Sequence, residues 1–216
     1  KGLAKQVLRR VGQCILTSPT TACFSGLESD EKINLGSAIR FFGDGFQVSK
    51  KINDKKIWRI PVMEGEFVIE DKTSIANGIG GGNILIIGDS NQEVLKSSEA
   101  AVKEMRKVNN IILPFPGGIV RSGSKVGSKY KSLIASTNDA YCPTLKGITK
   151  TKLSKSNESV LEIVIDGTNE KDISLAMKKG INIICKKFNK GIRSISAGNY
   201  GGKLGPYHFH LRDIMK

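Results

Sequence analysis

One pattern occurs twice in the second two-thirds of this chain, and that repetition constrains the fold more than any other feature. Asn83 to Ile87 reads as a short apolar strand. A helix follows from Ser90, which has capping-box spacing to Glu93, and Val94, Ala101, Met105 and Val108 then share one face. Ile111 to Leu113 returns as a strand. The second copy begins with a strand at Val160 to Ile165 and a turn at Asp166-Gly167. Its helix is capped near Thr168 or Asn169 and points Ile173, Ala176, Met177, Ile184 and Phe188 inward; Gly191 stops it, and Ile192 to Ile195 is the last strand. Two strand, helix, strand units in series predict an α+β fold of the ferredoxin-like sandwich type, βαββαβ, in which an antiparallel sheet carries its helices on one face. A doubly wound parallel sheet would need more such units.

Residues 1 to 66 follow a different plan. The spacing of Leu3, Val7, Leu8 and Val11 predicts the end of a helix already in progress, which makes the chain read as a fragment. A strand is expected near Cys14 to Phe24 and a long hairpin through Phe41 to Val62, with reversals at Gly43-Asp44-Gly45 and Asn53-Asp54. With 216 residues, 39% of them hydrophobic, the chain suits one full core plus part of another. The expected boundary is at 66/67.

Lys and Arg outnumber Asp and Glu by 34 to 20, and a net charge of +14 favours anionic partners. Aromatic residues are only 6% and no stacking motif is visible, which argues against nucleic acid. Cys14, Cys23, Cys142 and Cys185 form no C-x-x-C pair and read as buried thiols of a reducing compartment. No apolar run approaches the roughly 18 residues of a membrane span, and no signal peptide is evident, so a cytoplasmic protein is expected.

Several motifs compete for function. Gly78 to Asn83 is glycine-rich but precedes a strand rather than a helix, and it reads as a flexible turn instead of a dinucleotide loop. Gly118 to Lys125 approaches a phosphate loop yet has Ser124 where the lysine should stand, which removes nucleotide hydrolysis. The same segment still combines close backbone at Pro116-Gly117-Gly118 with Arg121, Lys125, Lys129 and Lys131, a composition that suits carboxylate or phosphate groups. Asn199 to Gly205 is a second such loop, with Lys203 framed by glycines. Candidate ligand-binding positions are therefore Gly118, Ser124, Lys125, Asn199, Gly201 and Lys203. His208 and His210 read as structural histidines on an edge strand, with no third metal ligand in view. Glu162 stands alone among Val160, Leu161, Ile163, Val164 and Ile165. Either it lies on a solvated sheet face by ordinary alternation, or it is desolvated and keeps its proton, as a general acid must.

The ordered blocks carry a family resemblance. Gln13 to Ala22, Asp30 to Asn34, Phe41 to Gly45, Trp58 to Gly65, Pro114 to Val120, Ser122 to Ser128, Tyr141 to Leu145 and Ser196 to Gly205 together resemble the formylmethanofuran:tetrahydromethanopterin formyltransferases. The resemblance runs from end to end, with members of the family carrying a further half-lobe at the N-terminal side. It implies a partial first ferredoxin-like lobe with a hairpin extension over 1–66 and a complete second lobe over 67–216. It also implies dimers or tetramers, methanofuran and tetrahydromethanopterin as polyanionic substrates, and no metal or tightly bound cofactor. By the same resemblance, formyl transfer is expected to be direct, through a tetrahedral intermediate, in the one-carbon metabolism of methanogenesis. The family's acid group falls on the strand of Glu162, which tips that residue toward catalysis. A truncated, inactive relative serving as a partner chain in a formyltransferase/hydrolase assembly is the alternative expectation.

Overall fold

The computed structural model describes residues 2–198 and 205–216. It is a mixed α+β structure, and its residues group into two compact units, Lys1–Asn77 and Gly78–Lys216.

In the first unit, helix α1 (Gly2–Arg10) runs into a wider π-type turn over Val11–Ile15. The strand expected from Cys14 shrinks to β1 (Ala22–Cys23), because the helical run that buries Val11 continues through Cys14 and Ile15. β2 (Lys32–Asn34) and α2 (Gly36–Ile39) follow, and Arg40–Gly43 is a 3-10 turn rather than the start of a hairpin. The hairpin itself is β3 (Val48–Ile52) and β4 (Lys55–Val62). It is joined through Asn53 and Asp54, both at positive φ, as a two-residue I′ connection requires. β5 (Gly65–Glu70) and β6 (Lys72–Ser74) also belong to this unit. The sheet order is β1-β5-β4-β3, and its core gathers Val11, Leu35, Trp58, Ile60, Phe67 and Ile69.

The second unit realises the doubled pattern. β7 (Ile79–Gly88), α3 (Asn91–Met105) and β8 (Ile111–Ile112) form the first copy. The hairpin strands β9 (Lys125–Val126) and β10 (Ala135–Ser136) fall within a long excursion. The second copy is β11 (Ser159–Gly167), α4 (Glu170–Lys187) and β12 (Ile192–Ser196), and α5 (Leu211–Ile214) follows near the C-terminus. The four strands run in the order β12-β7-β11-β8 with every pairing antiparallel. Ser90 caps α3 by accepting from the Glu93 N–H, and Asn169 caps α4 by accepting from that of Asp172.

Alternation decides what each face of this sheet touches. Ile84 and Ile86 of β7 and Ile163 and Ile165 of β11 point toward α3 and α4, where they meet Val94, Ala101, Met105, Ile173 and Met177. The glycine-rich run is not a loop: Gly80, Gly81 and Gly82 begin β7. Gly81, at φ +143, is the extra residue where the register to β11 shifts between Ile165 and Asp166. Gly82 is forced by packing, since a Cβ there would lie 2.4 Å from the Ile173 Cγ2. Asp166 and Gly167 extend β11 against β8 instead of turning, because the bulge keeps the ladder running past Ile165.

Of the cysteines, Cys14 and Cys185 are exposed and Cys23 and Cys142 half-buried, a correction to the expectation that all four are buried. No helix among the described residues is long and apolar enough to cross a membrane.

Candidate functional site

The sheet face opposite the helices is not left to solvent. Leu85 and Ile87 of β7 are buried there, as is Glu162 of β11. The excursion between β8 and β11 comes back beside β11: Val120 pairs with Glu162 through both backbone groups, its N–H reaching the Glu162 carbonyl at 2.7 Å and its carbonyl accepting from the Glu162 N–H at 2.9 Å. This bridge extends the sheet beside β11, and Val120, Ser122 and Tyr141 of the same excursion line the space next to the Glu162 side chain.

Two cavities meet at this point. A cleft of about 740 Å³ is lined by Gly80 to Asn83, Phe115, Ser122, Ser124, Asp166 and the segment Tyr207 to Leu211. A second pocket of about 360 Å³ is lined by Arg121, Asn138, Tyr141, Cys142 and Glu158, among others. Both include Val120, Ser122 and Glu162.

Glu162 is 5% exposed. Its Oε1 accepts a 2.7 Å hydrogen bond from the Asn83 Nδ2, and the Asn83 Oδ1 accepts from the Gly198 N–H at 2.8 Å. Burial pushes the Glu162 carboxyl above the ordinary glutamate range, and the single donor from Asn83 only partly opposes this. Asp166 lies on the same face four residues along, about 13 Å away at the rise of a strand, and burial raises its carboxyl too.

The other expected residues separate. Ser124 lines the cleft with Glu162. Gly118 is buried at φ +83 and sits against Leu113 and Val102, away from the cleft lining. Lys125 opens β9 and is ion-paired with Asp139, holding that carboxyl below its usual range; it does not line the cleft either. Asn199, Gly201 and Lys203 lie outside the described residues. His208 and His210 are not on a strand: their rings stack with centroids 6.2 Å apart in the irregular segment before α5, and both line the cleft. Among the described residues no group of His, Cys, Asp or Glu side chains is placed to hold a metal ion.

Asn83 and Asp166 are site residues that the sequence reading does not single out. Their signal is nonetheless present, since Asn83 and Glu162 are polar residues on two apolar strands that pair antiparallel.

A buried carboxyl with its pKa raised, at the junction of two cavities, defines a site suited to proton donation in group transfer. Comparison with known proteins gives this class a family. The profile for formylmethanofuran-tetrahydromethanopterin formyltransferase matches residues 1–62, and that for the proximal lobe of the same enzyme matches residues 65–214. The formylmethanofuran–tetrahydromethanopterin formyltransferase of Methylococcus capsulatus is 60% identical over all of this chain and 72% of the relative. Among solved structures, the formyltransferase of Methanosarcina barkeri superposes with a TM-score of 0.92 at 45% identity, covering 98% of this chain and 72% of that one. The formyltransferase/hydrolase complex of Methylorubrum extorquens, solved with methylofuran, gives 0.91 at 49% identity, covering 100% and 72%. The chain belongs to the formylmethanofuran–tetrahydromethanopterin formyltransferase family.

Proposed function

We propose that the chain moves a formyl group between formylmethanofuran and the N5 amine of tetrahydromethanopterin, with Glu162 as the proton donor. Family membership carries the reaction; the buried carboxyl at the meeting of two cavities carries the role of Glu162. The two coenzymes are substrates, and the chemistry of the transfer calls for no tightly bound cofactor.

The N5 lone pair attacks the formamide carbon, and the C=O electrons move onto oxygen. Collapse of this tetrahedral intermediate breaks the bond to the methanofuran nitrogen, which leaves as an amine. That nitrogen needs a proton, and the N5 ammonium must lose one. Glu162 supplies the first and its carboxylate recovers the second, so it returns to its starting state each turnover. Holding both substrates in one desolvated space supplies much of the remaining acceleration through proximity. Ser124 in the cleft and the loop positions Asn199, Gly201 and Lys203 are the proposed contacts for the acidic portions of the substrates; Gly118 and Lys125, which stand away from the cleft lining, are not among them.

The strand order β12-β7-β11-β8 within a βαββαβ sequence supports reading the second unit as a ferredoxin-like lobe. The expected lobe limit at 66/67 would cut through β5, so the limit that goes with this reading is the one between Asn77 and Gly78; assembly into homo-oligomers in the cytoplasm goes with it too. A Methylorubrum extorquens relative named as one component of a formyltransferase/hydrolase complex, 49% identical, favours a multi-chain assembly as the second possibility.

The test is to incubate the purified chain with formylmethanofuran and tetrahydromethanopterin and follow the products by absorbance and mass. N5-formyl product should form in step with free methanofuran. A folded chain that forms neither product would refute the assignment. The Glu162→Gln variant should fold normally and lose about 10² to 10⁴ in turnover, the usual contribution of a positioned acid.

A further inference from the structure

We propose that Asn83 is a positioning residue that fixes on which oxygen Glu162 carries its proton, and that it does so because a backbone N–H at Gly198 prevents its own amide from turning over. This rests on the role of Glu162 proposed above.

The argument begins with a group that has no choice. A main-chain N–H can only donate, so the Asn83 atom 2.8 Å from the Gly198 nitrogen must be the carbonyl Oδ1. The Nδ2 is thereby turned toward Glu162, where it donates to Oε1 at 2.7 Å. A neutral carboxyl has one oxygen that accepts and one that carries the hydrogen. With Oε1 committed as acceptor, the proton belongs on Oε2. Asn83 and Glu162 are both buried, at 7% and 5% exposure, so bulk water does not compete freely for these positions. The two strands that hold them, β7 and β11, are the central pair of the sheet. Gly198 lies just beyond β12, so the three groups come from three adjacent strands or their ends.

The other titratable and charged groups around Glu162 come from several elements. Asp166 shares its strand, and Tyr207, His208 and His210 face the cleft from the C-terminal segment. Arg121, Tyr141, Cys142 and Glu158 line the adjoining pocket. Among the described residues none of these hydrogen-bonds the Glu162 carboxyl, whereas Asn83 does.

Two substitutions separate positioning from mere packing. Asn83→Asp keeps an oxygen for Gly198 but turns a second oxygen toward Glu162, so a proton must lie between the two carboxyls and Oε2 loses it. Asn83→Ala removes the donor altogether. Both should lower kcat about 10²-fold, as expected for a misdirected catalytic group, while KM for both coenzymes stays within a few-fold. Because donation from Asn83 favours the ionised carboxyl, its loss in Asn83→Ala should move the alkaline limb of the kcat profile to higher pH. In a Glu162→Gln background, Asn83→Ala should cost almost nothing further, since the two act as one unit. Thermal melting of each variant checks that the fold survives. If Glu162→Gln is inactive but the Asn83 variants keep parental kcat and an unmoved limb, the positioning role is overturned and the catalytic reading stands. If Glu162→Gln is itself fully active, the catalytic reading fails first.

Discussion

Replacing Glu162 with glutamine should alter how stability depends on pH, in a direction and slope that follow from burial. An exposed glutamate titrates at about 4.3. In the folded chain the carboxyl is 5% exposed with one donor, so burial raises its pKa. Below the unfolded value the group is neutral in both states and burial carries no charge penalty. Between the unfolded and native values the folded chain holds one proton more, and stability falls by about 1.4 kcal/mol per pH unit. Above the native value the penalty is complete and the curve is flat again. Glutamine keeps a carbonyl to accept from Asn83 and cannot titrate, so the variant should gain on the parent at that slope as pH rises through the window. The assay must report on the right unit: Trp58 belongs to Lys1–Asn77, whereas Glu162 belongs to Gly78–Lys216, so tryptophan fluorescence is the wrong probe. Urea titrations followed by hydrogen exchange at the β11 amides, such as Ile163 and Ile165, read the relevant core. Parallel curves for parent and variant across the window would refute the reasoning.

Two further substitutions probe the frame around the site. Ser90→Ala removes the cap that accepts from the Glu93 N–H at 3.2 Å and should cost about 1 kcal/mol, read as a lowered urea midpoint without change in kcat. Gly82→Ala forces a methyl to within 2.4 Å of the Ile173 Cγ2; overpacking of this kind costs about 1–3 kcal/mol, and because Asn83 is the next residue, kcat should fall as well.

Much of the fold was legible because its strongest elements are amphipathic and capped. Ser90 with Glu93, and Asn169 at the second helix, announce their helices by side-chain chemistry that acts over three residues. Glu162 was visible for a related reason, as a charge in a strand with apolar neighbours on both sides. Its environment was not visible, because residues that line the space beside it, such as Val120 and Tyr141, are remote in sequence and arrive by the fold of the long excursion. The same limit hid Asn83, whose partners Glu162 and Gly198 are 79 and 115 positions away. The glycines before it read as a turn because a bulge at Gly81 and close packing at Gly82 look, in sequence, like flexibility. Lys125 looked free for a ligand, and only the tertiary structure brings Asp139 to it.

Infrared difference spectra of the parent against Glu162→Gln, recorded as a function of pH, observe the protonation of this side chain itself. The carbonyl stretch of an un-ionised carboxylic acid, absent from the variant, should persist above about pH 4.3, where an ordinary glutamate is half ionised. In Asn83→Ala it should persist to higher pH still. A band that disappears at or below the ordinary value would mean that Glu162 is charged in the folded chain and cannot be the proton donor.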